Sequence, residues 1–154
     1  STRNGVYFLK NRLSEDDYVI IHDAARPIVY QDIIDDLIEK AKANGNACSA
    51  VSCYETVVLT ENRTSGKEQI DRNRIVRVQT PQCYNYGLIK SLYEKADKDN
   101  REDFVYANIL AMNYGVEIYF SKGTNNNIKI TTKDDIALFR ALLYYINNAE
   151  GEEN

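Results

Sequence analysis

The sequence predicts an α/β fold with a mainly parallel sheet. Three observations predict it. Tyr18-Val19-Ile20-Ile21 is an apolar, β-branched run that reads as a buried strand. Residues 32–43 place Ile33, Ile34, Leu37, Ile38 and Ala41 on one face at helical spacing. Ala47 to Ser52 is a second buried run. Strand, helix and strand in succession make a crossover unit, and such units build parallel sheets.

Composition narrows the function classes. A chain of 154 residues is long enough for one core and one domain. Its 44% hydrophobic and 27% charged residues are the balance of a globular protein rather than a disordered one. A net charge of −4 gives no electrostatic basis for non-specific nucleic-acid binding, so no nucleic-acid partner is expected. No apolar run reaches membrane-spanning length, so no membrane partner is expected either. Cys48, Cys53 and Cys83 are odd in number and lack metal-ligand spacing, so they read as free thiols of a reducing cytosol.

The elements follow in order. Ser1 to Lys10 carries Val6, Phe8 and Leu9 and predicts a short helix. The first strand ends on His22 and Asp23, followed by Ala24, Ala25, Arg26 and Pro27. Asp23 offers a carboxylate to a hard cation. The small Ala24 and Ala25 let a ligand approach the backbone, and Arg26 can pair with an anion or fix the loop. Ligands in open α/β sheets sit at such carboxyl ends of strands. An ordinary strand-to-turn junction, with Asp23 bonding local amides, accounts for the same residues equally well. His22 reads as a satisfied core or supporting residue rather than a catalyst.

Gly45 fits the position just past the helix over 32–43. Glu55 to Thr60 predicts a strand, Asn62 to Gly66 a turn, and Gln69 to Val78 an extended return that ends at Gln79-Thr80-Pro81-Gln82. Together they form a long hairpin over about residues 56–78. Tyr86 to Ala96 is a helix with Leu88, Ile89, Leu92 and Tyr93 inward, followed by a charged loop to Asp103. Phe104 to Tyr114 is a further helix ended by Gly115. Val116 to Lys122 predicts a strand, Gly123 to Asn127 a polar loop, and Ile128 to Ile130 a short strand. Thr132-Lys133-Asp134-Asp135 has the capping-box spacing and opens a last helix buried through Ile136, Phe139, Leu142 and Leu143. Residues 147–154 form an acidic, frayed tail, which leaves residues 1–146 as the domain.

Three stretches occur in order: His22-Asp23-Ala24-Ala25-Arg26-Pro27, Gln79-Thr80-Pro81-Gln82 and Asn127-Ile128-Lys129-Ile130-Thr131. Together they resemble the signature of the cytidylyltransferases that make CDP-alditols. These are 2-C-methyl-D-erythritol 4-phosphate cytidylyltransferase and its relative, ribitol-5-phosphate cytidylyltransferase. The resemblance runs from about Arg3 to Leu143 and covers the later part of that domain. It implies a three-layer α/β/α nucleotide-diphospho-sugar transferase fold, Rossmann-like, N-terminally truncated, with a protruding β-arm over about 56–78.

The resemblance also implies a reaction. An alditol phosphate oxygen attacks the α-phosphorus of CTP and pyrophosphate leaves. The nucleophile is already an anion, so positioning and cations do the work rather than a general base. By this likeness Asp23 holds Mg²⁺ or another divalent cation, and Asp23 and the Ala24 backbone meet the nucleotide. Arg72, eight residues before Thr80, and Lys129 bind the phosphate of the nucleophile. A guanidinium suits this, since it grips phosphate oxygens bidentately. Thr56 and Thr80 orient the acceptor through their hydroxyls, and Arg26 joins them in binding it. The arm embraces a second subunit, which makes a homodimer and carries Arg72 across the interface. The expected location is the cytoplasm. Side-chain chemistry by itself leaves Arg72, Arg74 and Arg77 open as a solvated strand face. It leaves Lys129 open as a lysine guarding an edge strand.

Two departures matter. The family cradles the triphosphate in a Gly-rich loop with an arginine and a lysine. Arg3 matches an arginine in that lead-in, Val6 or Tyr7 stands where a serine is usual, and no comparable Gly-rich loop occurs in these 154 residues. Tyr106 takes the place of the acidic residue that usually opens the helix before Gly115, with Asp103 one turn earlier. Two function classes therefore stay open. One is an enzyme, or the acceptor-side, dimer-forming part of one, with the isolated chain expected to be inactive. The other is a non-catalytic dimerisation or interaction remnant. The acceptor is open too. Glu55-Thr56-Val57-Val58 and Tyr119 to Gly123 look closer to the ribitol and capsule-sugar relatives, and Ala24-Ala25 to the methylerythritol enzymes of isoprenoid synthesis.

Overall fold

The computed structural model describes residues 1–101 and 104–149. The order of elements is α1 (Thr2–Phe8), β1 (Tyr18–Ile21), α2 (Gln31–Asn44), β2 (Asn46–Ser52), β3 (Val57–Leu59), β4 (Glu68–Ile70), β5 (Val76–Asn85), α3 (Tyr86–Lys98), α4 (Ala107–Asn113), β6 (Phe120–Lys122) and α5 (Lys133–Ala149). A 3₁₀ turn, Arg72–Arg74, joins β4 to β5.

Local chemistry explains the helix ends. Gly45 ends α2 in the left-handed region at φ 83°, where its N–H donates to the Ala41 carbonyl. The Asn85 side chain caps α3 by accepting from the Leu88 N–H at 2.9 Å. The Asp135 carboxylate accepts from the N–H groups of Thr131 and Thr132 and pins the start of α5.

The sheet has the order β1-β5-β2-β6. β2 pairs with β6 in parallel, but β5 runs antiparallel to both its neighbours. The expectation of a mainly parallel sheet is therefore corrected, since two of the three pairings are antiparallel. The crossover through α2 does make β1 and β2 co-directional, yet β5 arrives from the hairpin and inserts between them. The sheet is mixed.

Alternation across this sheet builds two layers of core. Ala47 and Cys83 face α2, where they meet Leu37 and Ala41. Their neighbours Cys48 and Tyr84 face the other way, into α3 and α4, with Ile89, Leu92, Leu110 and Ala111. Helices on both faces of one sheet make the three-layer α/β/α arrangement.

Several boundaries differ from expectation. β1 is half-buried rather than buried, and Ile20 is exposed, because β1 lies at the end of the sheet. The strand expected over Val116–Lys122 is confined to β6, and the helix expected from Phe104 starts at Ala107. Ile128 to Ile130 is not a strand but a stretch tied by the Ile130 N–H to the Ala25 carbonyl at 2.8 Å. α5 is not buried as its periodicity suggested. Phe139 and Leu142 are half-buried, but Ile136 is 42% exposed and Leu143 is exposed as well. α5 also continues through Asn147 and Asn148, which were expected to fray. Asp103 and residues 150–154 lie outside the described residues.

The hairpin of β3 and β4 pairs Val57 with Ile70 and Leu59 with Glu68. It forms a separate two-stranded sheet, shorter than the arm expected over about 56–78, because Val76 and Val78 already pair with β2 in the main sheet.

Candidate active site

β5 contains the Gln79-Thr80-Pro81-Gln82 stretch in mid-strand rather than at its end. Proline has no N–H to give the ladder, so a proline in a central strand needs an irregularity. The irregularity is present. β2 shifts register between Cys48 and Ala50, opposite this stretch. Thr80 can then use its polar atoms outside the ladder. Its Oγ1 accepts from the Asp23 N–H at 2.9 Å, and its carbonyl accepts from Asn127 Nδ2 at 2.7 Å.

The Asp23 loop is built the same way. The Arg26 N–H donates to the Asp23 carbonyl at 2.9 Å, closing the turn over Ala24 and Ala25. His22 is exposed, not a core residue, and its Nε2 lies 2.8 Å from the Arg26 carbonyl. Arg26 Nε donates to Asp23 Oδ2 at 3.3 Å, and Arg26 Nη1 donates to the Asn127 carbonyl at 2.7 Å. Lys129 Nζ sits 3.0 Å from the same Asp23 Oδ2.

The three stretches singled out in the sequence thus meet in one cleft of about 230 Å³. Asp23, Arg26, Thr80 and Lys129 line it, with Tyr106, just before α4, and Ile109 of α4 as a flank. One carboxylate faces two cations, so the cluster carries an excess of positive charge. Partial burial pushes the Asp23 carboxyl up, but the hydrogen bonds and charges of Lys129 and then Arg26 outweigh this and hold it below the usual carboxylate range. Such a cluster suits a phosphate. Ala24 is exposed on the turn, open to an approaching ligand.

Among the described residues no group of three or more histidine, cysteine, aspartate or glutamate side chains could hold a metal ion. Asp23 offers one carboxylate here, and its Oδ2 is already paired with Lys129 and Arg26. Mg²⁺ characteristically takes one or two carboxylates and fills its remaining positions with substrate phosphates and water.

Two expected site residues lie elsewhere. Arg72 is on the 3₁₀ turn below the arm, where its Nη1 donates to the Tyr54 carbonyl at 3.0 Å. Thr56 is exposed just before β3. Neither lines the Asp23 cleft of its own chain.

Sequence reasoning missed the supporting residues. Asn127 and Gln79 are nearly buried and link the motifs, and Gln79 Nε2 also donates to the Thr124 carbonyl at 2.9 Å. Gln82 is held between Tyr84 and Asn108. The available signal was position, since Gln79, Gln82 and Asn127 all lie inside the quoted motifs.

Known proteins similar to this chain identify its family. The family described as 2-C-methyl-D-erythritol 4-phosphate cytidylyltransferase (IspD) matches residues 1–145. Ribitol-5-phosphate cytidylyltransferase of Lacticaseibacillus paracasei is 39% identical over 145 residues, covering 93% of this chain and 62% of the relative. The 2-C-methyl-D-erythritol 4-phosphate cytidylyltransferase of Clostridium novyi is 35% identical, covering 86% of this chain and 57% of the relative. The crystal structure of the Francisella tularensis 2-C-methyl-D-erythritol 4-phosphate cytidylyltransferase superposes with a TM-score of 0.79 at 29% identity, over 92% of this chain and 66% of that one. The chain therefore spans about 60% of the length of the curated relatives it matches.

Proposed function

Since this chain belongs to the 2-C-methyl-D-erythritol 4-phosphate cytidylyltransferase family, we propose that it forms the acceptor side of a cytidylyltransferase joining CTP to a small polyol phosphate. The products are a CDP-alditol and pyrophosphate. The observation that carries this reading is the convergence of Lys129 and Arg26 on Asp23, at 3.0 and 3.3 Å, in one cleft. Two anions must meet there, an acceptor phosphate and a nucleotide α-phosphate, and the excess positive charge offsets their repulsion. Lys129 and Arg26 bind the acceptor phosphate, and the Thr80 hydroxyl orients it. Asp23 is the residue that would hold Mg²⁺ or another divalent cation, which supplies charge neutralisation at the phosphates when bound. Ala24 brings its backbone to the nucleotide. Thr56 and Arg72 belong to the same acceptor site and reach it from the partner of a homodimer built through the arm. The work of such an enzyme belongs in the cytoplasm.

The acceptor is ribitol 5-phosphate or 2-C-methyl-D-erythritol 4-phosphate. The 39% identity to a ribitol-5-phosphate enzyme keeps the first in view. These 154 residues by themselves do not turn over CTP, because no Gly-rich phosphate loop occurs among them. Calorimetric titration with each polyol phosphate tests the acceptor reading. Binding should weaken about tenfold or more in Lys129→Met, which corresponds to about 1.4 kcal/mol. Equal binding by both chains overturns it and favours the second reading, a non-catalytic interaction module. That reading draws on Tyr106, which lines the cleft where the resemblance implies an acidic residue.

A further inference from the structure

Asn127 is 1% exposed and takes no part in the proposed chemistry, yet the three motifs of the cleft meet on it. Its Nδ2 donates to the Thr80 carbonyl at 2.7 Å and to Gln79 Oε1 at 3.5 Å. Its main-chain carbonyl accepts from Arg26 Nη1 at 2.7 Å. Arg26 and Thr80 both hold Asp23, one through its carboxylate and one through its N–H. Lys129 follows two residues later.

We propose that Asn127 is the positioning residue of this cleft. It fixes the segment that carries Lys129 against the loop that carries Asp23 and Arg26, so that both cations converge on one point before an anion arrives. The inference rests on reading the cleft as a phosphate site. Two cations held close repel each other, and an unsupported segment relaxes by letting them separate. Residues 123–130, past the end of β6, have little secondary structure of their own. Tethers must do what a strand or helix would otherwise do, and preorganisation of this kind removes reorganisation from the binding step.

The residue type follows from the geometry. The task is to donate twice from a buried position to two oxygen acceptors. An asparagine amide has two N–H groups and the reach; aspartate has none, and serine is too short. Oδ1 of the same amide is buried without a hydrogen-bond partner, so the donor half sets its orientation. Gly123 lets the segment approach at all. A Cβ there would stand 2.6 Å from the Ala50 carbonyl oxygen and 3.0 Å from Gln79 Oε1.

Inorganic phosphate titrated into the 154-residue chain, followed by ¹H–¹⁵N NMR, tests the proposal. Asn127→Asp keeps the shape and removes the donors. Arg26→Lys keeps a cation near Asp23 and removes the bond to the Asn127 carbonyl. In wild type the Asp23, Ala24 and Lys129 resonances should shift with phosphate. Each variant should bind about tenfold more weakly at a temperature where its core resonances remain native, and the double variant should lose less than the sum of the two, as members of one unit do. Where Asn127→Asp does not fold, Asn127→Ser gives the same reading. A folded Asn127 variant that binds phosphate within about twofold of wild type overturns the proposal, since a purely structural role would lower stability and leave affinity alone. A wild-type chain that ignores phosphate overturns the phosphate-site reading and this inference with it.

Discussion

Thr80 has two jobs, and they separate what was legible in the sequence from what was not. As a hydroxyl next to a proline inside a recognisable motif it stood out with Asp23 and Lys129, and all three line the cleft. Its structural work was invisible, because Asp23 and Asn127 lie far from it in the chain and only the interrupted ladder of β5 brings them together. Thr80→Val keeps the volume and removes the acceptor for the Asp23 N–H. We expect urea unfolding to show a loss of about 1 kcal/mol, with an unchanged slope. The thiols allow a second prediction at this scale. Burial lifts the Cys48 thiol to about 12 and the Cys83 thiol to about 11, and neither has solvent access. Thiolate is the reactive form. Both cysteines should resist iodoacetamide at pH 8 in the native chain and react once it is unfolded in urea. Rapid labelling of native Cys48 would contradict this packing.

At the scale of elements, α2 and α3 were readable because their signals are local. Ile33, Leu37 and Ala41 repeat at helical spacing, and Gly45 stops the helix. β5 was only half readable. Its composition gave an extended segment, but its place between β1 and β2 depends on pairings remote in sequence. α5 misled for a related reason. Its apolar stripe is real, yet periodicity says only that a face prefers cover, not that this chain supplies it. The cap of α5 carries a prediction. The N–H of Thr131, then that of Thr132, and the two threonine hydroxyls hold the Asp135 carboxyl at about 2. An unfolded aspartate titrates near about 3.9. The folded value is the lower one, so Asp135 stabilises fully above about pH 4 and loses that contribution as pH falls through about 2. Thermal melts by circular dichroism should show Asp135→Asn less stable than wild type at pH 7. The gap should narrow from about pH 4 downward and close near pH 2. A gap independent of pH would show that the carboxylate is not the cap.

At the scale of the whole molecule, the arm and the cleft pose one question. β3 and β4 pair with each other and with no strand of the main sheet. A two-stranded hairpin is marginal in water, so a partner surface should hold it. Leu59 is 54% exposed on the arm and Val58 is exposed beside it. Arg72 sits below the arm, tied to the Tyr54 carbonyl and outside the cleft of its own chain. A two-fold pairing through the arm would satisfy both features, since each chain would cover the other's hairpin and offer its Arg72 to the other's cleft. α5 is the rival surface, because Leu138 and Tyr144 are exposed there. Sedimentation velocity separates the two. We expect wild type to sediment as a dimer, Leu59→Asp as a monomer and Leu138→Asp as a dimer. A carboxylate buried without a partner in an apolar contact is costly enough to dissociate it. Should Leu138→Asp dissociate the pair while Leu59→Asp leaves it intact, the contact belongs to α5. Arg72 would then have no route to a neighbouring cleft, and its role in acceptor binding would have to be given up.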